Sequence, residues 1–155
     1  MTASGEAERH SMTEREKIVA VAREWIGTPY RHQASLKGVG ADCLGLVRGV
    51  WRQCCGAEPE AVPPYGAGWS DVSGGDVLLE AARKQMNESK LLDCQAGDVL
   101  LFRWRPHLPA RHMGIASSAV TMIHAQENAC VSEVHLSPWW LRHFSNVFRF
   151  PGVDA

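Results

Sequence analysis

Cys43 lies within Gly40-Ala41-Asp42-Cys43-Leu44-Gly45-Leu46-Val47, between a glycine-containing loop and an apolar helix. A sulfur at the first turn of a helix faces unpaired backbone N–H groups and the positive end of the helix dipole. Both favour thiolate over thiol. Gly38 and Gly40 let the chain turn sharply before it, and Gly45 is expected to leave room close to the sulfur. Far downstream, His112 in Arg-His-Met-Gly-Ile-Ala and His124 in Thr-Met-Ile-His-Ala could supply a base and a partner that orients it. This set points to a cysteine hydrolase, with Cys43, His112 and His124 as the catalytic candidates.

The same residues allow other readings. An arbitrary cysteine is most often a small buried hydrophobe, which is the reading given to Cys54, Cys55, Cys94 and Cys130 as reduced thiols. Zinc held by Cys43, His112 and His124 would lack the close ligand pair that usually anchors that metal, so no metal or other cofactor is expected. Arg103, Arg105 and Arg111 could flank a groove and attract carboxylates. Trp139 and Trp140 read as packing residues, and His10, His32, His107, His135 and His143 as solvated or structural.

The elements that must position these residues follow from periodicity. Residues 1–12 read as a disordered tail, and a capping box at Thr13-x-x-Glu16 opens a helix with Ile18, Val21, Ala22, Trp25 and Ile26 on one face. It stops at Gly27-Thr28-Pro29, and residues 30–41 form a loop. Asp42 caps a second helix whose Leu44, Leu46, Val47, Val50, Trp51 and Cys54 leave little polar surface. Residues 56–75 are rich in proline and glycine and read as a long functional loop presenting Tyr65 and Trp69 to partners. Ser73-x-x-Asp76 signals a helix over 77–86.

Beyond Gly97 the apolar segments shorten to strand length at 99–104, 112–117, 120–125, 131–136 and 146–150, with a helical turn at 137–143. If the turn at 117–119 makes a hairpin, His112 and His124 lie six residues either side of its middle and face each other. Helices followed by an antiparallel sheet of about five strands predict an α+β fold, in one domain spanning 13–155.

Sixteen basic against 17 acidic residues exclude a field suited to nucleic acid or an anionic membrane. The polar first eleven residues lack the apolar core of a signal peptide, so a product made in the cytoplasm is expected.

Five ordered motifs resemble those of the NlpC-type cell-wall cysteine peptidases. They are Trp25-Ile26-Gly27-Thr28-Pro29-Tyr30, Ala41-Asp42-Cys43-Leu44-Gly45-Leu46-Val47, Gly97-Asp98-Val99-Leu100-Leu101-Phe102, His112-Met113-Gly114-Ile115 and Met122-Ile123-His124-Ala125. The resemblance implies a papain-like fold and hydrolysis of peptidoglycan stem peptides, with Cys43 as nucleophile, His112 as general base and His124 as the orienting residue. It also implies Tyr30 as a wall of the groove, with Asp42, Leu44 and Arg111 as further substrate contacts. Leu44 stands where the family commonly has serine. The Asp-Cys-Leu-Gly-Leu-Val form is similar to the subgroup encoded with phage tails and gene transfer particles. That implies tail hub or baseplate proteins as partners and action at the periplasmic peptidoglycan. A structural hub or plug subunit with little hydrolytic activity is the alternative, and an acyltransferase or amidase acting on another substrate would use the same groups.

Overall fold

In the computed structural model, residues 12–59 and 76–154 are described. The expected tail up to Ser11, most of the 56–75 loop with Tyr65 and Trp69, and Ser73 of the capping signal lie outside them.

Helix α1 (Glu14–Glu24) opens with the expected capping box: the Thr13 hydroxyl accepts from Glu16 N–H while the Glu16 carboxylate accepts from Thr13 N–H. Such reciprocal caps contribute about 1 kcal/mol. A two-strand hairpin, β1 (Ser35–Leu36) and β2 (Gly40–Ala41), occupies part of the segment expected as a plain loop, and leads through Asp42 into α2 (Cys43–Cys54). Helix α3 (Val77–Gln85) is capped by Asp76.

Strands β3 (Asn87–Ser89), β4 (Val99–Phe102), β5 (His112–Ala116), β6 (Thr121–His124), β7 (Ser132–His135) and β8 (Phe144–Arg149) form an antiparallel sheet ordered β3-β8-β4-β5-β6-β7. Helix α4 (Pro138–His143), capped by Ser137, leads into β8. The fold is α+β as expected, but the sheet has six strands, not about five. The additional one is Asn-Glu-Ser, which has no apolar alternation to announce it and exists because it pairs along the edge of β8.

Alternation along the strands separates two apolar layers. Val99, Leu101, Met113, Ile115, Ile123, Phe148 and Phe150 pack with α1, α2 and α3, while Leu100, Phe102, Ala116, Met122 and Val147 pack with Trp140 and Phe144 on the other side. His112 pairs with Phe102 and therefore shares the second face, whereas Met113 next to it points to the helices.

Candidate active site

Asp42 builds the turn that presents Cys43. One carboxylate oxygen accepts from Gly45 N–H at 2.7 Å, and the other accepts from Gln33 N–H at 2.7 Å. With its side chain 1% exposed, Asp42 is a clamp between loop and helix, not the substrate contact that was expected. The space beside Gly45 is also used structurally: a Cβ there would collide with the Ala34 carbonyl, so the glycine admits the loop instead of opening room at the sulfur.

The thiol does not have the depressed pKa expected of a helix start. N–H groups of Met113, Leu44 and Cys43 do pull it down, but burial and then the Asp42 charge outweigh them and push it up to about 12. The helix terminus acts in the predicted direction; what the sequence could not display is how completely the sulfur is enclosed. Contact with the Met113 backbone places Cys43 beside β5, on which α2 packs.

His112 and His124 meet directly, with Nε2 of the first 2.8 Å from Nδ1 of the second and the rings nearly perpendicular. The hairpin register differs from the symmetric one expected. Ile115 pairs with Ile123 and Ala116 with Met122, which continues to place Gly114 opposite His124. The imidazoles are thus diagonal neighbours on one face, and the missing side chain at Gly114 makes their contact possible. A Cβ at Gly114 would stand 2.9 Å from Met122 Sδ and 3.2 Å from His124 Cβ. Burial, followed by the neighbouring imidazole, lowers His112 to about 3, and burial lowers His124 to about 4. Burial thus favours the neutral forms of the Cys43 thiol and of both rings over a thiolate–imidazolium pair.

Tyr30 reaches the site through a strap. Gly27 N–H donates to Val131 C=O, Val131 N–H to Thr28 C=O and Tyr30 N–H to Ala129 C=O, while Ala41 N–H donates to Pro29 C=O on the strap's other side. The segment 27–30 thus joins the turn before Cys43 to the chain just beyond His124. Burial raises the Tyr30 phenol to about 12, and the charges of Asp42 and Cys43 add to this, which puts the ring near the Cys43 sulfur.

Leu44 is half-buried against the core, and Arg111 N–H donates to Phe102 C=O at the start of β5. Arg103 is used structurally: Nη1 lies 2.6 Å from Asp76 Oδ2 and donates to Leu108 C=O. All five cysteines are free thiols, but Cys55 and Cys130 are exposed, not buried as read from their apolar surroundings. Among the described residues no group of three or more His, Cys, Asp or Glu side chains could hold a metal ion.

Two residues at the site were missed or read as packing alone. Trp140 stacks on His112 with ring centres 5.5 Å apart and meets His124 edge-on at 5.1 Å, and Trp104 stacks on His112 at 5.8 Å. Their signal was available in the aromatic spacing around 104 and 139–140, but only folding brings the α4 segment over β5.

Comparison with known proteins accords with this architecture. The NlpC/P60 family profile matches residues 27–149. Among curated protein sequences no relative matches. An NlpC/P60 family protein from Bacillus cereus superposes with a TM-score of 0.65 at 16% identity, over 88% of this chain and 40% of its own. A lipoprotein-like NLP/P60 protein from Staphylococcus aureus gives 0.60 at 18%, over 92% and 42%. This chain therefore spans about two-fifths of the length of those two proteins. The NlpC/p60 domain of the peptidoglycan hydrolase SagA gives 0.61 at 22%, over 88% and 98%. With the profile match running from the strap before Tyr30 to the end of β8, the chain belongs to the NlpC/P60 family.

Proposed function

We propose that this protein is a cysteine endopeptidase of peptidoglycan stem peptides, with Cys43 as nucleophile, His112 as general base and His124 as its orienting partner. The family is generally one of cysteine peptidases and related hydrolases. The observation that carries the reading is the buried His112–His124 contact, with the helix-start Cys43 thiol hydrogen-bonded to the backbone of Met113, the residue next to His112.

Because His124 occupies Nε2 of His112, the Nδ1 atom is the one left to take the thiol proton. In the reaction the neutral imidazole accepts that proton as the sulfur attacks the carbonyl carbon, so charge separates only when substrate is present. Asp42 caps Gly45 N–H and Leu46 N–H, while the N–H groups of Cys43 and Leu44 point at the sulfur in the resting site and turn to the oxyanion as it forms on the carbonyl carbon that the sulfur attacks. The imidazolium then protonates the leaving amine. A thioester remains, which water hydrolyses with His112 again as base, regenerating the thiol. Purified muropeptides incubated with the protein should yield cleaved stems by mass spectrometry, and Cys43→Ala should yield none. Intact muropeptides with the unaltered protein would sink the reading in favour of a plug.

The finer setting in this proposal is delivery by a phage-like tail, with hub or baseplate proteins as partners. It rests on the resemblance carried by Asp42-Cys43-Leu44-Gly45-Leu46-Val47. Mass spectrometry of purified particles tests it: presence only in producing cells removes the tail and leaves the cysteine chemistry untouched.

A further inference from the structure

Trp104 and Trp139 are 37% and 46% exposed, although each packs against the innermost part of the site. Their ring centres are 5.7 Å apart. Beneath them lies Trp140, 6.2 Å from Trp104 and 4.9 Å from Trp139, which itself rests on both catalytic imidazoles. The indoles thus form a surface that begins on His112 and runs outward to solvent. His143 lies over one face of Trp139, with ring centres 4.2 Å apart and its Nδ1 2.7 Å from the Trp139 carbonyl oxygen, which backs that indole and leaves its other face to solvent.

The surface is held in place. Arg103 N–H donates to His143 C=O at 2.9 Å, tying the Trp104 loop to the end of α4. Asp76 clamps the same loop at its two ends, by its pair with Arg103 and by accepting from Ala110 N–H at 3.1 Å. Exposed indoles on a fixed backbone, next to a reacting centre, are a preformed binding surface and not a packing remnant.

We infer that Trp104 and Trp139 form a sugar-stacking platform continuous with the catalytic groove, so that the preferred substrate is a stem peptide still attached to its glycan. The inference rests on the stem-peptide reading above and adds the part of the substrate outside the scissile bond. A stem peptide of alanine, γ-linked glutamate and a diamino acid offers short methyl groups and charges, nothing flat and apolar enough to cover two indoles. A pyranose does: its C–H face is apolar and its rim carries hydroxyls, matching a large ring face with solvent at its edge.

The test uses Cys43→Ala, so that ligand stays intact, and compares by calorimetry a disaccharide–tetrapeptide muropeptide with the same tetrapeptide free. The muropeptide should bind about tenfold more tightly. Trp139→Ala in that background should bring the two affinities together, and Trp139→Phe, which keeps a flat ring, should retain most of the preference. Equal affinities in the parent, a preference that survives Trp139→Ala, or no muropeptide binding would each overturn the platform. Turnover by the unaltered protein separates the two claims. Cleavage of both ligands with equal affinity removes the platform and keeps the hydrolase; preferential muropeptide binding without cleavage of either keeps the platform and removes the hydrolase.

Discussion

Nε2 of His112 and Nδ1 of His124 lie 2.8 Å apart, a distance at which one ring donates and the other accepts. A proton on both facing nitrogens would set N–H against N–H. The pair therefore ties the tautomer of one ring to that of the other and opposes double protonation, which adds to burial in lowering His112, whereas burial lowers His124.

Substitution at His124 should follow hydrogen-bonding capacity. His112→Ala should lower kcat/KM by roughly 100- to 10,000-fold, the usual contribution of a general base. His124→Asn and His124→Gln should retain more activity than His124→Ala, because an amide still donates to or accepts from a ring nitrogen. Equal losses in all three folded His124 variants, measured on muropeptides, would contradict an orienting role.

Both imidazoles are neutral when folded down to pH values near 3 and 4, whereas in the unfolded chain they protonate near 6.5. Between these values the unfolded state binds more protons. The stability from keeping the rings buried is fully present above pH 6.5 and is lost as pH falls toward 4, by an amount on the order of a few kcal/mol. Thermal unfolding should show Tm declining across that window, with a shallower decline in His112→Gln. The acid limb of activity should fall near pH 4; a limb at 6.5 would show an imidazole of ordinary basicity.

Gly114→Ala tests the geometry of the hairpin without touching a reacting group. Its new Cβ would crowd Met122 Sδ, the Ile123 carbonyl and His124 Cβ. The β6 backbone must shift, at a typical cost of about 1–3 kcal/mol, and move His124 from His112. Activity should fall further than stability alone explains, whereas Ala116→Gly on the same strand should cost stability with much less effect on activity per kcal/mol lost. Full activity in Gly114→Ala, measured well below its Tm, would show that the diagonal contact is dispensable.

Asp42→Asn separates capping from charge. An amide can keep the bond from Gly45 N–H, but its NH2 would then oppose Gln33 N–H, so a loss of about 1–3 kcal/mol is expected on denaturant unfolding. Removing the charge that helps raise Cys43 should bring its pKa down and speed its alkylation by iodoacetamide at fixed pH. Slower alkylation at Cys43, followed by peptide mapping of the folded variant, would contradict the electrostatic account.

Much of this fold is written in local patterns. The Thr13 box, the Asp42 cap ahead of an almost wholly apolar helix, and the apolar runs of β4 to β8 each depend on neighbours within a few residues, so spacing alone reveals them. The Cys43, His112 and His124 trio was legible for the same reason: each sits at a recognisable start or end of an element. Tertiary structure decided the rest. Burial, a property of the whole packed chain, reversed the expected ionisation of Cys43, and strand register made the histidines diagonal partners across Gly114. Edge pairing with β8 made a strand of Asn87–Ser89, and the fold of α4 over β5 turned two tryptophans into part of the site. Desolvation and long-range pairing arise only when segments distant in sequence meet, so no local pattern could have carried them.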